Sequence, residues 1–278
     1  MKRLATVCAL LIGLLVAGSS TALAVSPRPV LASRGDPFAN CRVGGDGSGL
    51  NYRSAEVEPW IAGNPANTAN LIGTWQQDRW SDGGAKGQVA SWTFDSGRSW
   101  GRTPQPFTTC AQPFYRSKVL QYERTSDPWV SIGPDGTAYA VSLPFDGDFV
   151  RNGLGAAVSH NGGRTWERQQ DIDPLVARAD TFNPADDKES VTADPRRAGF
   201  AFAVWDQLQD FFLHCPATAR AAVRLSHQVP AQTTRAAPSE KGYEPCPGVV
   251  TGPTYFSPTA DGGRTYSSPR ARFLTAVT

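Results

Sequence analysis

The sequence predicts an all-β fold built from repeated four-stranded antiparallel sheets. Three observations point there. Short β-branched and aromatic runs alternate with clusters of Gly, Pro, Asn and Asp. No long stretch carries helical periodicity. One short frame recurs three times along the chain.

The frame reads Thr93-Phe94-Asp95-Ser96-Gly97-Arg98-Ser99-Trp100, then Ser159-His160-Asn161-Gly162-Gly163-Arg164-Thr165-Trp166, then Thr259-Ala260-Asp261-Gly262-Gly263-Arg264-Thr265-Tyr266. Each position has a physical task. The Asp or Asn side chain accepts from backbone N–H groups of a tight turn. Gly97, Gly163 and Gly263 take positive φ without a Cβ clash. Ser99, Thr165 and Thr265 close the turn, and the aromatic ring packs back between strands.

Upstream of each frame an acidic residue opens a first strand: Glu58–Ala62, Asp127–Ser131 and Glu189–Ala193. A turn and a second strand follow, at Leu71–Gln76, Ala138–Leu143 and Phe200–Trp205. A third strand enters the frame and a fourth leaves it. Four antiparallel strands per unit make a propeller blade, with blades over about 56–105, 125–172 and 187–274. The third unit has an insert between Trp205 and Gly252, holding Cys215 and Cys246. Propellers close with about four to eight blades, so three predict an open, partial ring. The expectation is a truncated or partial product whose bare sheet edges favour self-association.

The three frames resemble the Asp-box, or BNR repeat, of sialidases and related propellers. The resemblance covers most of the chain after the leader and implies a sialidase-like β-propeller. The corners themselves are structural.

Chain order puts the starts of the first strands and the loops between second and third strands on the face opposite the three corners. Ligand-binding loops belong there. Glu58, Asp127 and Glu189 fall at equivalent first-strand starts near the axis, with Asp187 just before the third. The first loop carries Asp78-Arg79-Trp80-Ser81-Asp82, and the second Asp146, Asp148 and Arg151. Arg116, Lys118 and Arg124 approach the second unit. Paired carboxylates beside an arginine and an aromatic ring suit sugar chemistry. Asp82, Asp78 and Glu58 are the candidate catalytic residues. Arg79, Trp80, Asp127, Asp187 and Glu189 are the candidate substrate-binding residues. The bland reading of the repeated acids is that they cap strand ends.

In sialidases the first strand opens with a Tyr/Phe-Arg-Ile-Pro motif whose arginine holds the substrate carboxylate. Here the matching strand reads Val57-Glu58-Pro59-Trp60-Ile61, which reverses that charge. The stretch Thr74-Trp75-Gln76-Gln77-Asp78-Arg79 is similar to the family's second strand. The resemblance then places Asp82 near the catalytic Asp and Arg79 near a site arginine. The remaining arginines and the Tyr/Glu nucleophile pair come from later blades in that family. Tyr243, Tyr255 and Tyr266 carry no nucleophile motif, and Tyr266 belongs to a corner.

Other chemistries find little support. His160, His214 and His227 lack metal-ligand spacing. There is no Gly-x-Ser-x-Gly, P-loop or dinucleotide fingerprint. No cofactor is implied. Axial carboxylates could hold Ca²⁺, although no Asp-x-Asp-x-Asp run is present.

The first 24 residues read as a secretory leader: Lys2 and Arg3, an apolar run from Leu4 to Ala17, and Ala22-Leu23-Ala24 as cleavage site. The run is too short to span a bilayer, and none follows it. The expected location is therefore extracellular. The chain has 27 Lys+Arg against 25 Asp+Glu, and losing Lys2 and Arg3 brings the balance to neutral. Nothing in that balance suggests a nucleic-acid partner. Residues 25–55, rich in Pro, Gly, Ser and Arg, are expected to be an exposed leader. Cys41, Cys110, Cys215 and Cys246 predict two disulfides, with 41–110 and 215–246 favoured because each staples one long irregular segment. The functional expectation is an exported propeller that acts on or binds a glycan or glycoconjugate, by exo-sialidase-type hydrolysis or by binding alone; an inactive fragment is the third option.

Overall fold

The computed structural model describes residues 29–44, 49–116, 119–176, 184–209 and 253–271. The leader at 1–24, the insert with Cys215, Cys246, His214, His227 and Tyr243, and Lys118 lie outside the described residues.

Three blades are present. Blade 1 comprises β1 (Glu56–Gly63), β2 (Leu71–Arg79), β3 (Ala85–Thr93) and β4 (Gly101–Pro104). A 3-10 turn at Thr109–Phe114 leads to blade 2. Its main strands are β5 (Arg124–Ile132), β6 (Ala138–Phe145), β8 (Gly155–Ser159) and β9 (Glu167–Asp171). Two short strands, β7 (Arg151–Asn152) and β10 (Leu175–Val176), pair beside β6. Blade 3 comprises β11 (Pro184–Ala193), β12 (Ala201–Gln209), β13 (Thr254–Thr259) and β14 (Arg270–Ala271). Neighbouring strands within each blade are antiparallel. β5 lies against both β1 and β11, so the three first strands gather on one side, as the inner strands of a propeller do. The ring is open.

Side-chain alternation explains why the blades stack. Every residue of β6 is buried. Ala138 and Ala140 face blade 1 in a cluster with Ile72, Ala90 and Val130. Tyr139, Val141 and Leu143 face blade 3, with Val191, Ala203 and Trp205. A period of two thus gives one strand two different cores. The small residues on one face and large ones on the other set the spacing on each side.

The corners form as the repeat predicts. Ser99 N–H donates to Asp95 Oδ1 (2.9 Å), Thr165 N–H to Asn161 Oδ1 (2.9 Å) and Thr265 N–H to Asp261 Oδ1 (3.0 Å). Thr93, Ser159 and Thr259 hydroxyls accept from the N–H of Gly97, Gly163 and Gly263. The hydrogen bonds from Thr265 and Ser99 hold Asp261 down to about 2 and Asp95 lower still. Each later corner is also a joint to the preceding blade. Asn70 Nδ2 donates to Gly162 O (3.2 Å), and Arg168 Nη1 to Gly262 O (2.9 Å). Trp166 packs in the blade 1–blade 2 core and Tyr266 against the blade 2–blade 3 core. Trp100 stays half-buried beside its own turn, its Nε1 donating to Gly97 O. Gly263 serves twice: φ is 73°, and a methyl there would lie 2.5 Å from Val158 Cγ1.

The leader is not wholly exposed. Phe38 is buried against Trp75 and Val89, and Cys41 is bonded to Cys110, the expected pairing. Composition misread this segment because one well-placed phenylalanine outweighs its polar neighbours. Replacing both cysteines with serine should lower unfolding free energy by about 2–4 kcal/mol in denaturant titration. An unchanged midpoint would assign the tethering to Phe38 alone.

Candidate functional site

The first strands share a backbone irregularity that places the site. Each carries a register shift, between Val57 and Trp60, Ser126 and Trp129, and Asp187 and Ser190. The first residue inside each shift has positive φ: Glu58 at 54°, Asp127 at 48° and Lys188 at 51°. These are β-bulges in conformations that side chains other than glycine rarely adopt. Such strain clusters at functional sites.

That register corrects the sequence reading. Lys188, not Glu189, is the equivalent of Glu58 and Asp127. Glu189 takes the slot of Pro59 and Pro128 and is turned inward, 3% exposed. The axial residues are therefore two acids and a base. Gln76 Nε2 donates to Glu58 Oε2, and Lys188 Nζ pairs with Asp127 Oδ2 at 2.9 Å. Among the described residues no group of three His, Cys, Asp or Glu side chains is placed to hold a metal ion.

On the face opposite the corners, a cavity of about 190 Å³ lies where the three blades meet. Blade 1 contributes Arg79 and Asp82, blade 2 Asp127, Phe145 and Phe149, and blade 3 Asp187. The two phenylalanine rings stack with centroids 4.5 Å apart. Four of the sequence-derived candidates thus share one cavity: Arg79, Asp82, Asp127 and Asp187.

The carboxylates differ in state. Burial, then the charge of Asp127, raises Asp187 above the usual carboxylate range, with Lys188 opposing. Its neighbour Asp186 also lines the cavity and is pushed well up by burial and the charge of Asp173. Asp186 Oδ1 accepts from Trp205 Nε1 at 3.1 Å and Gln207 Nε2 at 3.3 Å, which fixes its orientation. Asp127 is ion-paired and accepts from Ser126 Oγ at 2.6 Å. One raised and one paired carboxyl group in a single cavity is an acid–base arrangement.

Three candidates are placed elsewhere or otherwise engaged. Asp78 is fully buried, at φ 63°, accepting from Ser54 N–H at 2.8 Å and pairing with Lys86 at 3.3 Å; it does not line the cavity. Its positive φ breaks the alternation of β2 and turns it away from the Gln76 face, under Asn51–Ala55. Trp80 does not line the cavity, and the Arg124 guanidinium lies 4.9 Å over its ring. Asp82 is at the cavity but pairs with that same arginine at 2.8 Å. Sequence reading passed over Asp186, Phe145 and Lys188 as site residues. The signal for Lys188 was available: Glu58, Asp127 and Lys188 lie equally far before the turn prolines Pro65, Pro134 and Pro195.

A further buried carboxylate, outside the cavity lining, ties stability to pH. Burial, then the charge of Asp173, raises Asp171 to about 6, although Tyr122 donates to it at 2.5 Å. The folded state therefore binds more protons than the unfolded state between about pH 4 and 6. Stability from this group is complete below about 4 and lost as pH rises through 6, on the order of 2 kcal/mol. The lowered Asp95 and Asp261 act oppositely, losing their contribution as pH falls toward 2. Thermal unfolding should show an optimum near pH 4, and Asp171→Asn should make its alkaline side less steep, the raised Asp186, Asp187 and Glu189 carrying the rest; an unchanged slope would exclude Asp171 as a contributor.

No family model matches the chain, and no curated protein matches it. Solved structures do. An α-L-arabinanase of Penicillium chrysogenum matches with 12% identity, 83% of this chain and 56% of that one, at TM-score 0.44. An α-L-arabinofuranosidase of Fusarium graminearum matches with 10% identity, 79% and 50% coverage, at TM-score 0.45. A Hadza microbial sialidase matches with 16% identity, 79% and 47% coverage, at TM-score 0.37. The chain spans about half the length of these structures.

Proposed function

We infer that this chain is an exported, glycan-directed propeller carrying Asp-box corners, and that its loop-face cavity performs exo-type glycoside hydrolysis. The carrying observation is the pairing of Asp187, raised toward its neutral form, with the ion-paired Asp127 in one cavity. Asp187 would protonate the leaving oxygen, and Asp127 would face the anomeric carbon or its attacking water. Phe145 offers an apolar wall and Arg79 a hydrogen-bond donor. Export is supported by the leader-like first 24 residues and by Cys41–Cys110, a bond that persists in oxidising surroundings.

A neutral sugar fits this reading better than a sialoside. Glu58 stands where a carboxylate-binding arginine would, and the cavity already holds several acids. The second reading, glycan binding without turnover, is favoured by Asp82, whose pairing with Arg124 takes it out of acid–base work.

The test is the purified chain against methylumbelliferyl α-L-arabinofuranoside, α-sialoside and β-hexosides, with equilibrium binding of the free sugars measured in parallel. Release from a neutral glycoside supports hydrolysis. Binding without release supports the second reading. Neither binding nor release would refute the glycan assignment.

A further inference from the structure

Beside the first cavity lies a second one, of about 420 Å³, between the bulged first strands of the three blades. Its walls include Glu58, Trp60, Asp127, Trp129, Lys188 and Glu189. We propose that this axial cavity is a second sugar subsite, taking the next unit of the glycan with its apolar face on the Trp60 ring. The proposal rests on the glycan reading above and adds the requirement for a substrate of at least two linked sugars.

Four observations carry it. First, Trp60 and Trp129 stack with ring centroids 3.7 Å apart and 22° between planes. Trp60 Nε1 donates to Val130 O at 3.0 Å, which pins the ring, yet the residue remains 40% exposed. A large indole, held rigid and left half open, is a stacking platform for the C–H face of a pyranose or furanose ring. Second, the rim supplies both kinds of hydrogen-bonding group: Glu58 and Asp127 accept, and Lys188 donates. That mixture matches hydroxyls, which do both.

Third, Glu189 lies in the wall, nine-tenths buried, with no hydrogen-bond partner for either carboxylate oxygen among the described residues. Buried polar groups are nearly always satisfied, so an acid left without a side-chain partner beside the cavity marks this wall as polar rather than apolar. The same burial, with the charge of Asp127, raises Glu189 well above the usual range. A neutral acid there can also donate, and it spares the platform a further negative charge. Fourth, Asp127 lines both cavities. The two spaces adjoin at a reacting carboxylate, so a chain occupying both would place a glycosidic bond beside it.

The apolar alternative, a hydrophobic ligand on the tryptophans, would cover the Glu58 carboxylate and the Lys188–Asp127 pair with apolar surface, a desolvation that nothing repays. The axial cavity also explains a feature of the sequence. Pro59 and Pro128 precede the two stacked indoles and stiffen the bulges that aim them.

The experiment compares arabinobiose, cellobiose and sialyllactose with arabinose, glucose and N-acetylneuraminic acid. The readouts are calorimetry and acrylamide quenching of tryptophan fluorescence. At least one disaccharide or trisaccharide should bind roughly 10-fold tighter than its monosaccharide and shield tryptophan from quencher. Trp60→Ala should erase that advantage while leaving monosaccharide affinity and monoglycoside hydrolysis unchanged. Trp60→Phe, which keeps a ring against Trp129, should retain part of it, and quenching of the unsubstituted protein needs no variant at all. Equal affinity for single and linked sugars, or a linked-sugar advantage that survives Trp60→Ala, would overturn the subsite and leave the first cavity standing. No binding of any sugar would overturn both.

Discussion

Asp187→Asn should lower hydrolysis by about 10²- to 10⁴-fold, the usual worth of a positioned general acid, while sugar affinity changes only a few-fold. The asparagine is nearly the same size and keeps one acceptor, so pairing with Asp206 near the end of β12 survives. What it loses is the transferable proton. The wild-type pH profile should carry the mark of this group. Burial and the charge of Asp127 raise Asp187, so its acid form persists above the ordinary carboxylate range. The alkaline limb of kcat should therefore lie above that range too. Lys188 opposes the rise, being a cation next to the group. Removing it in Lys188→Met should make deprotonation harder and move the alkaline limb to higher pH. A limb that stays fixed in Lys188→Met, or an Asp187→Asn enzyme that retains full rate, would take Asp187 out of the chemistry.

The parts of this molecule legible from sequence are those decided locally. Each corner is closed within one short segment, by Asp95 with Ser99 or Asp261 with Thr265, so the residues that form it are adjacent in the chain. Strand positions followed from the same repeat, and β2, β6 and β12 were foreseen with ends short by a few residues. The loop-face cavity was legible in part: Arg79, Asp82, Asp127 and Asp187 do converge. The misplacements have one kind of cause, interactions decided by a distant segment. A bulge in β11 moves Glu189 off the axis and puts Lys188 there, although an acid-led alignment looked better. A positive φ at Asp78, held by contacts to residues far back in the chain, breaks the alternation of β2 and turns it toward Ser54 and Lys86. Arg124, far along the chain, claims both Trp80 and Asp82. Phe38 enters a core built by Trp75 and Val89, which no property of the leader announces.

Arg124→Met should be the most destabilising single substitution proposed for this chain, at about 3–5 kcal/mol. Arg124 opens β5 and is fully buried, where a charge survives only if every donor is used. Its Nε donates to Gly44 O at 2.6 Å, and Nη1 to Gly83 O at 3.0 Å and Asp82 Oδ1 at 2.8 Å. Its plane covers Trp80. One side chain thus ties the leader, the β2–β3 loop and blade 2 at the single hydrogen-bonded register, Ala85 with Thr125, that joins the two blades. Methionine fills a similar volume, so the loss would report the bonds rather than a hole. The buried Gly44 carbonyl and the half-buried Gly83 carbonyl lose their donor, and Asp82, 35% exposed, loses its counter-charge beside the cavity. Lysine should not rescue, because an ammonium cannot span acceptors on three segments as the planar fork does. Thermal unfolding should fall by roughly 10 °C for a domain of this size. The loop-face cavity should loosen with it, since its Asp82 wall is held by that fork. A loss below about 1 kcal/mol would mean the blades are joined by their apolar cores and their other hydrogen bonds, with Arg124 a passenger in the seam.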